Sequence, residues 1–273
     1  MNWQQYCETK IPYIKQNYLK FHGVELDLAN PKTFTEKLQW LKVYDSTFLK
    51  AFCADKLRVH DYYRAVLGKD IGVPVIKRYK NLQSLFNDRL DAPCIIKCNH
   101  GSGMNMVIHE SSTAQNSELK EKFTQWIKMD HGNNWGELYY SLIEPVIFQE
   151  KYLSDLRDIK VFCFNGHPKF FQIDRHFAEH RMNFYDLNWK PLTWLSRMDY
   201  PANYTITDKC PKQLNTILGY AKKLSMPFKF VRCDFIISDG NLYGGELTFI
   251  PGAGNQSYLG DGDQLLGNML DLQ

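Results

Sequence analysis

The stretch VRCDFIISDGNLYGGELTF, residues 231–249, constrains the fold more than any other part of the chain. A strand presents alternate residues to opposite faces. Val231, Cys233, Phe235 and Ile237 therefore form one apolar face, while Arg232 and Asp234 share the other. On the return run Glu246 and Thr248 share a face, and Leu247 and Phe249 point away from it. Ser238-Asp239-Gly240-Asn241 has the composition of a tight turn. The segment reads as an antiparallel hairpin with one face on a core. A three-residue turn, Asp239–Asn241, sets Asp234 opposite Glu246 and Arg232 opposite Thr248. A two-residue turn puts the carboxylates on opposite faces. Gly244-Gly245 suits a bulge or the close approach of a ligand.

Two neighbouring carboxylates repel and need a cation. Arg232 is one candidate. Magnesium is another, because it takes a few carboxylates together with phosphate oxygens in an octahedral array. Phosphate in turn needs donors. Lys97 ends the apolar run PCIIKC and precedes Asn99–Gly103, a loop whose amides suit phosphate oxygens, although two glycines alone fit an ordinary turn. Lys56 stands at a helix start, where the dipole favours acidic groups; a solvated lysine is the plain reading there.

The rest of the chain places these residues. The first 50 or so positions read as helical, with a capping box at Thr33-Phe34-Thr35-Glu36. Asp55 is suited to cap a helix running to Gly68. Strand signals follow at Val73–Ile76, Pro93–Cys98, Met104–His109, Val146–Tyr152, Ile159–Asn165 and Lys169–Ile173. Asn165-Gly166 marks a hairpin turn, and helices are expected over Ser117–Met129 and Pro211–Leu224. Helices first, then antiparallel strands with helices between them, indicate an α+β fold.

Composition removes several function classes. A net charge of +3, from 33 basic and 30 acidic residues, gives no basis for nucleic-acid binding. No apolar run approaches the roughly 20 residues of a membrane span. The first ten residues, MNWQQYCETK, lack a signal-peptide core. Seven scattered cysteines fit reduced thiols in the cytoplasm. Cys94, Cys98 and His100 are zinc-type ligands, but no second pair follows at matching spacing.

In order along the chain these pieces resemble the ATP-grasp superfamily. The matching stretches are Asp55-Lys56-Leu57-Arg58, Gly72-Val73-Pro74-Val75, IIKCNHGSG, FQEKYL, RDIKVFCFNG with Asp174-Arg175, and Asp234 with Glu246-Leu247-Thr248. With NPKTFTEKLQW and GELTFIPG added, the chain is most similar to the TupA-like branch, tied to surface polysaccharide and teichuronopeptide synthesis. The resemblance implies two sheet lobes, mixed or antiparallel, clasping ATP. It divides the chain into a helical region over 1–54, a small lobe with the glycine loop over 55–149, and a C-terminal lobe with the metal site over 150–273.

The resemblance also implies roles. Lys56 and Lys97 would hold the α- and β-phosphates beneath Gly101, Ser102 and Gly103. Glu150, Tyr152 and Leu153 would meet adenine, and Asp158 would reach the ribose or orient its neighbours. Lys160 and Arg175 would stabilise the transferring phosphoryl group. Asp234, Glu246 and Thr248 would bind magnesium, two ions in all, and Arg232 would steady the acyl phosphate or the oxyanion that follows. Thr248 departs from the usual asparagine. The α/β domain that normally precedes the ATP lobe is replaced by the helical region, so substrate contacts must arise elsewhere, with His100, His176 and Arg181 as candidates.

The implied reaction is amide formation from a carboxylate, such as a uronic acid, and an amine or amino acid. Three other readings stay open at this point. Asp261-Gly262-Asp263 has the Asp-x-Asp form of a glycosyltransferase metal site. A sugar kinase or a nucleotide-binding module without catalysis would use much of the same machinery.

Overall fold

The computed structural model describes residues 1–113, 116–175, 181–205 and 207–273. The first elements are α1 (Trp3–Glu8), α2 (Ile11–His22), α3 (Phe34–Tyr44), α4 (Phe48–Ala54) and α5 (Val59–Leu67). Next come β1 (Val75–Tyr79), α6 (Leu82–Phe86), β2 (Arg89–Leu90), β3 (Cys94–Cys98), β4 (Asn105–Ile108), β5 (Ser112–Thr113), α7 (Ser117–Trp126) and α8 (His131–Trp135). The remainder is β6 (Ile147–Lys151), β7 (Arg157–Phe164), β8 (His167–Arg175), β9 (Arg181–Tyr185), α9 (Leu214–Ser225), β10 (Phe230–Ser238), β11 (Asn241–Thr248) and α10 (Gly262–Met269).

Four strands form a sheet in the order β1-β6-β3-β4, and five form another in the order β11-β10-β7-β8-β9. Their pairings are antiparallel throughout. The chain is therefore α+β with two antiparallel lobes. The small sheet has its own core of Leu85, Ile96, Phe123 and Ile147. The larger sheet shares one core with the N-terminal helices, where Phe34, Leu38, Tyr62 and Tyr63 meet Phe162, Phe164, Phe230 and Leu247. Burial of these large side chains, at about 25 cal/mol per Å² of apolar surface, welds α3, α4 and α5 to the second lobe.

Local signals explain most boundaries. The Thr33 hydroxyl accepts from the Glu36 amide at 3.3 Å, while the Glu36 carboxylate accepts from the Thr33 amide at 2.9 Å, completing the capping box of α3. Gly68 ends α5 in the left-handed region at φ 74°. Several boundaries differ from expectation; the helix expected from Pro211, for one, starts at Leu214. Asp55 accepts from the Leu57 and Arg58 amides at 2.8 and 3.3 Å, but these residues form a turn and α5 starts only at Val59. The strand expected at Val73–Ile76 runs instead from Val75 to Tyr79. Pro74 has no amide to give, and its carbonyl accepts from Lys151 at the strand's edge. Helix α7 stops at Trp126, short of Met129.

The last helix clamps α3. The Asp263 carboxylate accepts from the Thr35 amide and hydroxyl at 2.9 and 2.6 Å, which satisfies the N-terminus of α3. Lys37 answers from the other side, donating to the Gly267 and Leu270 carbonyls at 2.8 and 2.6 Å. Asp263 is thereby committed to structure, and the Asp-x-Asp at 261–263 does not face the cleft described below. A Cβ at Gly267 would fall 2.3 Å from the Lys32 carbonyl oxygen and 2.8 Å from the Thr33 carbonyl carbon. Gly267→Ala should therefore cost about 1–3 kcal/mol, read as a lower thermal midpoint. An unchanged midpoint would show that the α3–α10 contact is loose.

Candidate active site

The hairpin of β10 and β11 reaches the expected pairing by an unexpected route. Its turn has two residues, Asp239 and Gly240, at φ 48° and 77°, with Ser238 opposite Asn241. This corrects the three-residue turn, and the reason is backbone twist: two successive left-handed residues match the twist of the flanking strands. Such a turn alone would place Glu246 on the apolar face. Pairing jumps from Phe235↔Gly244 to Cys233↔Leu247, so Asp234 faces both Gly245 and Glu246. That bulge returns Glu246 to the face of Asp234 and restores Arg232↔Thr248. Gly244 admits the Tyr63 ring, which a Cβ there would meet at 2.8 Å, and its amide donates to the Ile71 carbonyl at 2.7 Å. Helix α5 and the segment after it thus brace the bulge.

The polar face of the larger sheet follows from its register. Asp234 lies opposite Lys160, and Ile236 opposite Asp158. Lys160 is opposite Gln172, leaving Asp174 diagonal to it on the same face. This face and the small lobe enclose a cleft of about 480 Å³. Lys56, Lys97, Glu150 and Asp158 line it with Lys160, Arg232, Asp234 and Glu246, and Ser102 and Gly103 cover it. Five separate segments deliver these residues to one place.

Charge is balanced pairwise. Arg232 grips Asp234 with two bonds, Nε to Oδ1 at 2.7 Å and a terminal nitrogen to Oδ2 at 2.6 Å. The same nitrogen donates to the Thr248 hydroxyl at 3.1 Å and lies 3.8 Å from Glu246. Burial pushes the Asp234 carboxyl up to about 6 against the pull of Arg232 and Lys160. Burial would also raise Glu246, but Lys56, Arg232, Lys160 and Lys97 outweigh it and hold Glu246 below the usual carboxylate range. Burial lowers the Lys56 ammonium, with Glu246 opposing at 3.9 Å, and Lys56 donates to the Gly101 carbonyl. Lys97 pairs with Glu150, and Lys160 with Asp174. Burial would raise Asp174, yet Lys160 keeps it lowered.

The other candidates are placed less uniformly. Thr248 lies beside the carboxylates but lines an adjoining chamber rather than this cleft. Tyr152 and Leu153 sit just beyond the end of β6 and do not line the cleft; Tyr152 packs against His109, and Leu153 is buried. Arg175 ends β8 opposite Arg181; the Arg175 side chain and all of His176 lie outside the described residues. His100 is turned into the small lobe, with its Nε2 3.1 Å from the Trp126 carbonyl, so it does not reach substrate. Arg181 is buried in β9 away from the cleft. Cys94 and Cys98 are buried on β3, where burial pushes the Cys98 thiol up to about 12.

Sequence reading gave Asp174 no role, although it is the partner of Lys160. A bulge between Phe162 and Cys163 shifts the β7–β8 register by one residue and brings it there. Magnesium fits the donors present. Asp234 and Glu246 supply hard oxygens to an open, lysine-lined cleft, while among the described residues no group of three His, Cys, Asp or Glu forms a cage without phosphate. Arg232 already neutralises Asp234, so Glu246, 39% exposed, is the carboxylate most open to a cation.

Two antiparallel lobes closing on a cleft of lysines and carboxylates define a protein of the ATP-grasp class. The model of the family described as TupA-like ATPgrasp matches residues 36–271, and the chain belongs to that family. Among solved structures, an L-amino acid ligase from Bacillus licheniformis aligns at 15% identity and a TM-score of 0.48, covering 90% of this chain and 56% of that one. D-alanine–D-alanine ligases from Helicobacter pylori and Bacillus anthracis align at 17% and 19% identity, with TM-scores of 0.44 and 0.40. They cover 81% and 74% of this chain, which in turn spans 62% and 58% of theirs. No curated protein sequence matches.

Proposed function

We propose that the chain is an ATP-dependent ligase that phosphorylates a carboxylate and joins it to an amine, giving an amide, ADP and phosphate. The observation that carries this reading is the convergence of Lys56, Lys97, Lys160 and Arg232 on Asp234 and Glu246 in one cleft. Lys56 and Lys97 bind the α- and β-phosphates under Ser102 and Gly103, and Glu150 and Asp158 face the nucleoside end. Asp234 and Glu246, with Thr248 beside them, hold magnesium, which when bound neutralises the phosphate oxygens. Lys160, with Arg175 from the neighbouring strand, steadies the transferring phosphoryl group, and Asp174 fixes the lysine. Arg232 stabilises the oxyanion as nitrogen attacks. Positioning and charge neutralisation are what phosphoryl transfer requires of a protein, so no nucleophile–histidine triad is needed.

Family membership favours a sugar-linked carboxylate of surface polysaccharide synthesis, such as a uronic acid, and an amino acid or small amine as its partner. A step that consumes ATP belongs in the cytoplasm. No described helix is long and apolar enough to cross a membrane; peripheral contact with a polysaccharide assembly system is compatible with that. The test is ADP release with uronic acids, amines, and both together. Dependence on both, with an amide product by mass spectrometry, is the expected result. A phosphorylated sugar formed without amine would assign a kinase, and UDP release from a nucleotide sugar without ATP would overturn the reading.

A further inference from the structure

A second chamber of about 500 Å³ adjoins the cleft. The two share Ser102, Gly103, Arg232 and Glu246, so whatever fills the chamber touches the transferring end of the nucleotide site. Its far wall is His131, Trp135, Glu137 and Tyr140, from α8 and the turn after it. Gly136, at φ 72°, reverses the chain between Trp135 and Glu137 and lets both face the same space. The site is part of the larger lobe, because Tyr139 and Tyr140 belong to its core.

Two buried polar side chains in this wall have unused bonding capacity. The Glu137 carboxylate is 8% exposed and His131 is 6% exposed. Glu137 Oε2 accepts from the Tyr139 hydroxyl at 2.6 Å. No described residue donates a hydrogen bond to Oε1; His131 Nε2 stands 3.5 Å from it. His131 Nδ1 is buried without a partner, beside Gly101, where a Cβ would approach it to 3.1 Å. Leaving the buried His131 nitrogen unpaired costs about 1–3 kcal/mol, whereas Oε1 is open to a donor in the chamber. Glu137 therefore presents an unpaired carboxylate oxygen to the chamber, and His131 lies between it and the glycine loop.

The charges select the ligand. Of the two carboxylates facing the chamber, Glu246 is assigned to magnesium in the ligase reading, which leaves Glu137 for a second ligand. Lys42 donates to the Trp135 carbonyl at 3.0 Å behind the wall, and burial lowers its ammonium to about 8. An anionic group at the far wall would meet the like charge of Glu137. A cation with several donors would meet Glu137 beside the rings of Trp135 and Tyr140.

Building on the ligase reading above, we propose that this chamber is the subsite of the amine substrate and that Glu137 binds it as a primary ammonium ion, its carboxylate taking up the proton that the nitrogen sheds before it attacks. The Tyr139 hydroxyl orients the carboxylate, and Trp135 forms the mouth. Glu137 is thus the residue that discriminates an amine from its uncharged analogue.

The test uses the whole chain loaded with MgADP and thermal unfolding as the readout. The probes are glycine, L-alanine, ethanolamine and glucosamine, each beside its N-acetyl derivative, scored with and without nucleotide. At least one free amine should raise the midpoint while its N-acetyl form does not. Glu137→Gln should lose that response but keep the shift caused by MgADP, which shows that the variant is folded. Trp135→Ala should weaken the response. A response retained in Glu137→Gln, an equal response to the N-acetyl forms, or no response to any amine overturns the proposal. The MgADP shift of the unaltered protein reports separately on the nucleotide site, so failure there is a failure of the ligase reading alone.

Discussion

Glu246→Gln should lower ADP release by about a thousandfold while leaving the fold and thermal midpoint nearly unchanged. The carboxylate makes no short bond whose loss would loosen the hairpin. Lys56 lies 3.9 Å away, Arg232 3.8 Å, and the Thr248 hydroxyl donates to it over 3.4 Å. With the side chain 39% exposed, solvent screening holds these pairs to about 0–1 kcal/mol. Glutamine keeps the size and one oxygen but removes the charge that a magnesium ion would meet. Asp234→Asn is the less informative choice, because it strips the buried Arg232 of its two-bond partner and mixes misfolding with lost chemistry. Turnover, circular dichroism and the midpoint measured on one preparation separate the two effects. Near-normal turnover in Glu246→Gln would remove Glu246 from the metal site.

How much of this site was legible in the sequence depends on whether a residue's neighbour lies in the same hairpin. Strand alternation gave the apolar face of Val231, Cys233 and Phe235 and the polar face of Arg232 and Asp234, and both are as expected. The capping box of α3 and the turn at Asn165-Gly166 were equally local, and both are present. Register was harder, because each of two bulges moves a functional side chain by one residue. One returns Glu246 to Asp234, and the other brings Asp174 to Lys160. Glycine at 244–245 hinted at the first, and Pro168 in FNGHPKFF, a residue that an internal strand tolerates at a bulge, at the second. Contacts between distant segments carried no signal at all. Glu137 and His131 lie in HGNNWGELYY, a run with neither helical nor strand period, and only the packing of that run on the larger lobe turns them toward Glu246.

The partner of Lys97 is another such contact, and it yields the second large effect. Strands β3 and β6 are neighbours with Ile95 opposite Glu150 and Lys97 opposite Phe148, so the lysine reaches Glu150 along a diagonal. Glu150 is 9% exposed in this pair and Lys97 22%. Lys97→Met should therefore do two things at once. It leaves a nearly buried carboxylate unpaired, costing about 1–3 kcal/mol of stability after allowance for the exposed lysine end. It also removes a charged donor to phosphate, which should weaken MgADP binding about 10- to 100-fold. The double variant Lys97→Met/Glu150→Gln separates the two. Neutralising Glu150 removes the unpaired charge, so the thermal midpoint should return most of the way. MgADP affinity, measured by calorimetric titration, should stay low, since no remaining group replaces the lysine at the phosphates. If affinity recovers together with stability, Lys97 acts on the nucleotide only through Glu150, and its assignment as a phosphate ligand fails. If neither recovers, the lost stability does not come from an unpaired Glu150.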